Sequence, residues 1–479
     1  MVSEFSKRLR IFNVLEGLTD GLSRFCGRPT RVALLYAEKY DDPLVLYDPY
    51  RLLDGHERPL KELYVDSSAW LSCPLRLDSM TLFGEIVPEK DLGLSGIISY
   101  GGRTGNIFYQ MWFAEHHPDI ASIGPIERWL ENAVCLLSHE FAIEDAFYTA
   151  TSRLVLKEYA SYAVRDYIMD ELNLLIGWDM PYMVSSTLEA ILDISKTPEE
   201  GMLPEGMLAI VEPSKLSTID FLIKFPHYER PLLTHTKHVR KLLTAVHNSK
   251  TALISDGKHI VGIASENISS PAIIADFHKT YGFLYINQNI VCSFADGKFL
   301  ATNRKVSLVE FEEILVESDL DSDTRDDLLS IVLHIVQEAT EKQHGACIVV
   351  DLGHTPLKLS GQHLAEPLSL KIRKNLELTC RLSMLDGAIH IGRDLHLYAF
   401  SCLLDGLAVT NEDRSRGARF NSALRFTSQH PEVVVITVSC DRPVSVFQNG
   451  FDLTTRLPYE ITFSTLYKAP TLHEWLGLK

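Results

Sequence analysis

Leu385-Asp386-Gly387-Ala388-Ile389-His390-Ile391 sets a carboxylate and a glycine at the mouth of an apolar run with strand character. A carboxylate there can hold a divalent cation, and a glycine lets a ligand approach the backbone closely. Asp-Gly ahead of a strand is also an ordinary turn. Further along, Arg416-Gly417-Ala418-Arg419-Phe420-Asn421-Ser422-Ala423-Leu424 follows a polar loop, Asp405–Ser415, and precedes an apolar strand, Val433–Ser439. It reads as a loop entering a helix. Small residues, guanidiniums and the free N–H groups of a helix start suit a phosphate, and the same pattern also describes a capped surface helix with its arginines in solvent.

Upstream of these segments, Leu328, Leu329, Val332, Ile335, Val336 and Ala339 recur at helical spacing, and Ala346–Val350 reads as a buried strand. A helix is expected at about Leu368–Leu378, and the alternation of patterns predicts an α/β domain over 325–479, a twisted mixed sheet flanked by helices. The acidic run Glu317–Asp327 marks its boundary. Asp319, Asp321 and Asp323 imitate the start of a calcium loop, but Thr324 replaces the turn glycine and Ser330 the bidentate glutamate. A solvated linker with an Asp or Ser helix cap is the expectation.

The N-terminal region reads as α+β. Phe5, Leu9, Phe12, Leu15, Leu18 and Leu22 keep helical spacing, with Gly27 as its stop, and a strand follows at Val32–Tyr36. Pro125 opens a helix that buries Ile126, Trp129, Leu130, Val134 and Leu137, and helical pattern continues through Tyr159–Leu172. Ser186 and Glu189 have capping-box spacing, and Thr197–Met207 reads as a loop. A short helix with Val239, Leu242, Leu243 and Val246 precedes two hairpin signals, at Asp256-Gly257 and Asp296-Gly297, which suit type I′ turns. The expected divisions are a mixed region over 1–235, a small β-rich unit over 236–318, and the α/β domain over 325–479.

Composition narrows the function. A formal charge of −17 argues against a broad phosphate-backbone footprint, so nucleic acid is not an expected partner. Eight dispersed cysteines without a CxxC pair fit buried residues in a reducing cytoplasm. No apolar run reaches the ~18 residues of a membrane span, and the start lacks the apolar core of a signal peptide, so a cytoplasmic protein without a membrane partner is expected. His116-His117 ahead of Pro118 reads as a surface turn, and Gly101-Gly102-Arg103-Thr104-Gly105 as a flexible loop without P-loop spacing.

Together the two opening segments resemble the diadenylate cyclase domain, the catalytic unit also found in bacterial DNA-integrity scanning proteins. Asp386-Gly387-Ala388 matches that family's first motif. Gly417 and Arg419 match its Gly-Thr-Arg-His-Arg phosphate motif, and Ser422-Ala423 continue it. Val438-Ser439-Cys440-Asp441 stands for its Val-Ser-Glu-Glu segment, and Phe447–Gly450 for the strand ending in glycine. The likeness covers about 330–455. Ala418, Phe420 and Asn421 replace the motif's threonine, histidine and second arginine, leaving Arg414, Arg416 or Arg425 to compensate for the lost cation. The regions ahead of it resemble the sensor-like regions that precede this cyclase in some bacterial proteins, with a ligand the sequence does not name.

The resemblance implies a nucleotidyltransferase that condenses two ATP into the second messenger cyclic di-AMP and two pyrophosphates. Each protomer of a homodimer, or of a higher homo-oligomer, would hold one ATP. Asp386 would be catalytic and bind Mg2+ or Mn2+, with Asp441 as a second metal ligand. Arg419 would be catalytic and, with Gly387, Ala388, Gly417, Asn421 and Ser422, bind ATP. The departures at Phe420 and Asn421 support a second expectation, a catalytically weak nucleotide-binding regulator on the same domain.

Overall fold

Long-range strand pairing, which no local pattern encodes, sorts the described strands into three sheets. The computed structural model describes residues 4–72, 86–89, 91–142, 151–176, 181–196, 203–247, 250–266, 268, 272–279, 281–286, 288–303, 308–342, 344–409, 417–439, 444–454 and 469–478. The chain divides into two units, Met1–Arg304 with Tyr459–Lys479, and Lys305–Pro458. Among the described residues no helix is long and apolar enough to cross a membrane.

The first unit begins with helix α1 (Glu4–Cys26), closed by Gly27 at φ +69°. Its core stripe is Ile11, Val14, Leu15, Leu18, Leu22 and Phe25, whereas Leu9 is exposed. The apolar positions therefore follow the helix less regularly than their spacing suggests. Strands β1 (Val32–Ala37) and β2 (Val45–Tyr47), helix α2 (Glu57–Tyr64), and strands β3 (Val87–Glu89), β4 (Ile97–Arg103) and β5 (Tyr109–Glu115) follow. The strands form an antiparallel sheet in the order β2-β1-β5-β4-β3. Gly101, Gly102 and Arg103 lie buried in β4, so the Gly-Gly-Arg segment is sheet and not a flexible loop. His116 is exposed, but His117 is buried with its Nε2 3.0 Å from Thr30 Oγ1, which corrects the surface-turn expectation for the second histidine.

Helices α3 (Gly124–Ala142), α4 (Thr151–Lys157), α5 (Ala160–Ile176) and α6 (Pro181–Ser195) come next. Ser186 lies inside α6 and does not start it, because the helix begins ahead of it. An eight-stranded sheet is then built from β6 (Glu205–Val211), β7 (Phe221–Lys224), β8 (Thr251–Ser255), β9 (Ile260–Ser265), β10 (Ala272–His278), β11 (Tyr281–Ile286), β12 (Asn289–Ala295) and β13 (Lys298–Leu300), with α7 (Thr236–Val246) between β7 and β8. Strand β6 pairs with both β8 and β10, so the expected division at 235/236 falls inside one sheet. Met207, expected in a loop, is part of β6. Asp296 and Gly297 both have positive φ, as a type I′ turn requires, whereas at the first hairpin only Gly257 does.

The second unit opens with α8 (Val309–Glu317) and α9 (Ser322–Glu341). Asp321 caps α9 by accepting from Thr324 N–H at 3.0 Å, the role expected of the acidic linker. Strands β14 (Ala346–Asp351) and β15 (Ser360–Ser369), helix α10 (Arg373–Leu382), β16 (Ala388–Gly392), β17 (His396–Leu403), α11 (Ala418–Thr427), β18 (Val433–Val438), β19 (Ser445–Gln448) and β20 (Phe451–Asp452) complete it. The sheet order is β15-β17-β16-β14-β18-β19-β20, and only β14 and β16 run parallel. Ile348, Val350, Ile389, Ile391, Val434 and Ile436 form one core face with α9 and α10. Cys347, Val349, Ala388, Val433 and Val435 form the other with Ala423 and Phe426 of α11. This is the α/β domain with a mixed sheet flanked by helices that the pattern predicted.

Strand β17 bulges at Ser401, whose φ is +50°, and the β16–β17 register shifts there. Gly387 sits against the bulge at φ +97°, and a Cβ on it would lie 2.8 Å from Ser401 Cα and 2.9 Å from Cys402 O. Both obstacles are backbone, so they cannot rotate away. Gly387→Ala should cost this unit at least ~2 kcal/mol, left-handed strain adding to overpacking. Urea unfolding followed by circular dichroism measures it as a lower midpoint.

Candidate nucleotide site

Asp386 ends the connection from α10 and stands fully exposed at the start of β16. Pairing of Ile348 with Ile389 sets that start beside the start of β14, where Gly345 precedes the strand. A Cβ on Gly345 would come 2.5 Å from Arg419 Nη1, so this glycine leaves room for the guanidinium. Arg419 reaches across from the first turn of α11, and its Nη2 lies 3.7 Å from Asp386 Oδ1. Residues far apart in sequence thus present one carboxylate and one guanidinium at a common edge. Both side chains are exposed, so the pair adds little stability, and its interest is chemical.

Gly417 is the cap residue of α11, with extended backbone and no side chain to occupy the first-turn N–H groups. A helix start of this kind favours an anion. Gly417, Ala418 and Arg419 are exposed, Ser422 is half-buried, and Asn421 is buried. Phe420 turns inward and meets the Phe447 ring edge-on at 4.8 Å. Of the expected nucleotide contacts, Arg419 meets Asp386, Gly387 adjoins that carboxylate in the chain, and Gly417 caps the helix that carries Arg419. Ala388 is buried, and Asn421 lies in the packed side of the helix. Asp441, Arg414 and Arg416 lie outside the described residues.

Ala388 stands between Cys347 of β14 and Cys402 of β17 in a row of small buried side chains under α11. Burial pushes the Cys347 thiol up to about 12 and the Cys402 thiol up to about 11, so both remain protonated and serve as packing. Further along the same face, His390 Nε2 lies 3.3 Å from Asp351 Oδ2, both side chains being buried. Asp351 also accepts from Gly353 N–H at 2.9 Å and Leu357 N–H at 2.7 Å, which fixes the loop leaving β14. Burial alone would raise its carboxyl, but His390 and the two amides outweigh it and hold the pKa below the usual aspartate value. Sequence reading missed this pair. Asp351 and His390 end or punctuate apolar strands, and only parallel pairing of those strands brings them together.

Among the described residues no group of three or more His, Cys, Asp or Glu forms a ready metal cage. One exposed carboxylate still fits a cation that arrives with a nucleotide, since Mg2+ commonly takes one or two carboxylates and draws its other ligands from phosphates and water.

Three family models match the chain in succession. Residues 5–178 match "Probable sensor domain DACND", residues 185–292 match "Probable sensor domain DACNH", and residues 334–451 match "DisA bacterial checkpoint controller nucleotide-binding". A search of curated proteins returned no match. Solved structures with local likeness include one described as a hypothetical membrane spanning protein from Bacillus cereus. It shares 21% identity at a TM-score of 0.21, over 27% of this chain and 63% of that one. Another is a double mutant of DacA from Staphylococcus aureus, with 19% identity and a TM-score of 0.23, over 31% of this chain and 100% of that one. Residues 334–451 are accordingly a DAC domain of the DisA nucleotide-binding family, and probable sensor domains of the DACND and DACNH families precede it.

Proposed function

We propose that this protein is a diadenylate cyclase that joins two ATP molecules into cyclic di-AMP and releases two pyrophosphates. The observation that carries the reading is the meeting of Asp386 with Arg419 at the start of α11, inside the segment that matches a nucleotide-binding family. Arg419 and the α11 N–H groups hold the triphosphate and take up charge at the α-phosphorus. Asp386 orients the attacking 3′-hydroxyl and accepts its proton. The hydroxyl oxygen forms the new bond to the α-phosphorus as the bond to pyrophosphate breaks. A bound Mg2+ or Mn2+ would supply charge neutralisation between Asp386 and the phosphates.

One such site holds one nucleotide, so ring closure needs two copies facing each other across a two-fold axis. The DACND and DACNH domains then modulate that encounter. A second messenger made from ATP places the protein in a bacterial cytoplasm.

A second reading, a nucleotide-binding regulator with little turnover, draws on the inward packing of Phe420 and the burial of Asn421. Phe420 stands where the family has a histidine and Asn421 where it has an arginine, so one polar group and one fixed positive charge fewer meet the triphosphate. Incubation with ATP and Mg2+ or Mn2+, followed by mass spectrometry, separates the two. Cyclic di-AMP supports the cyclase, and binding without product in either metal supports the regulator.

Asp386→Asn should abolish turnover with an unchanged melting curve, because the side chain is fully exposed. Near-normal activity in a folded sample would remove Asp386 from the mechanism. Arg419→Ala should lower kcat/KM about 10- to 100-fold, the worth of a charge-assisted hydrogen bond.

Specific activity should rise with protein concentration in a dilution series, and Asp386→Asn protein mixed into wild type should suppress activity more than simple dilution does. Constant specific activity in a sample shown by light scattering to be monomeric would exclude the face-to-face mechanism.

A further inference from the structure

Asp386 and Arg419 are both exposed, so their attraction is too weak to hold the 3.7 Å between them. Two consecutive residues at the entry to β14 restrain one of these groups each. His344 and Gly345 lie between the end of α9 and Ala346, the first residue of β14. The backbone of His344 is tied to α9, its N–H donating to Ala339 O at 2.9 Å. Its half-buried imidazole donates from Nε2 to Met384 O, two residues ahead of Asp386. Met384 N–H donates to Arg381 O at 3.3 Å and Leu385 N–H to Leu382 O at 3.1 Å. The turn that presents the carboxylate is thus held by α10 on one side and by the imidazole on the other.

Gly345 acts on the partner group. A Cβ there would lie 2.5 Å from Arg419 Nη1 and 3.2 Å from its Cζ, whereas Val438 O, the next nearest atom, is 3.4 Å away, an ordinary contact. Gly345 has no positive φ. The main chain therefore accepts a methyl group at this position, and only the guanidinium must leave. This is the reverse of Gly387, where the obstacles are backbone.

We propose that His344 and Gly345 are positioning residues that set the geometry between Asp386 and Arg419. The imidazole holds the peptide that carries the carboxylate, and the empty side-chain position of the glycine seats the guanidinium. Each acts through another side chain and not on the nucleotide. The effect on turnover rests on the cyclase reading, while the effect on structure does not.

Full-length variants test it. Gly345→Ala should keep the wild-type melting curve and lower kcat/KM at least about fivefold, with no further loss when added to Arg419→Ala, because both remove the same contact. His344→Ala should lower kcat at least about fivefold with KM for ATP within about twofold, since it loosens the group that orients the hydroxyl and not those that hold the triphosphate. His344→Gln, whose amide can donate to the same carbonyl, should recover most of that loss. Additive losses in the Gly345→Ala, Arg419→Ala double variant would overturn the role of Gly345. A His344→Gln enzyme as slow as His344→Ala would overturn the role of the hydrogen bond.

Two readouts stand apart from the reaction. The Leu385 amide should exchange hydrogen at least about fivefold faster in His344→Ala than in wild type or His344→Gln. A crystal structure of Gly345→Ala should show the Arg419 guanidinium moved away from Asp386. If wild type forms no cyclic di-AMP, the cyclase reading falls, and these two measurements decide the positioning by themselves. Unchanged exchange at Leu385 would overturn it for His344, and an unmoved Arg419 would overturn it for Gly345.

Discussion

The candidate site rests on a backbone contact that only glycine permits. Gly387 at φ +97° lies against Ser401 and Cys402, where any Cβ would overlap main-chain atoms. The close approach delivers Asp386 to the strand mouth and starts β16 in register with β14. From that alignment follow the place of Ala388 in the small-residue row and the distance from Asp386 to Arg419. The bulge at Ser401 is the complementary half of the device, since an added residue in β17 makes the hollow that the glycine enters.

Beneath the site the sheet is built for stillness. Parallel β14 and β16 are buried on both faces, and their side chains are apolar apart from the Asp351–His390 pair. Cys347 and Cys402 are small enough for α11 to settle close, and burial keeps them as thiols. A buried carboxylate without partners would be costly. Asp351 instead receives two amides and an imidazole, so the loop after β14 is fixed by the same group that would otherwise destabilise the core. A rigid floor of this kind suits a site whose two charged groups are exposed, because the floor and not their mutual attraction sets their separation.

The departures from the family motif acquire physical content in this setting. Phe420 adds an aromatic contact with Phe447 where the family has a histidine, so its replacement exchanges a polar group for packing. Asn421 is buried, and an arginine there would have to carry its charge to the surface past the same helix face. Arg419 alone of the motif's cationic positions keeps both its residue type and an exposed place beside Asp386.

Local chemistry determined much of this protein from sequence alone. The amphipathic helices α1, α3 and α9, the cap at Asp321, the turn at Asp296-Gly297 and the two motif segments were legible because their causes span a few residues. Strand β15 was not, since it is an exposed edge whose residues show no alternation. Nor was the burial of His117, which depends on contact with Thr30 from a distant strand start. Tertiary structure alone decided that β6 joins β8 and β10 in one sheet, that Asp386 faces Arg419, that Asp351 meets His390, and that the last residues return to β2. Each is a pairing between segments far apart in the chain. A strand's pattern states which face is buried, but the identity of the strand beside it is settled only when all of them pack together.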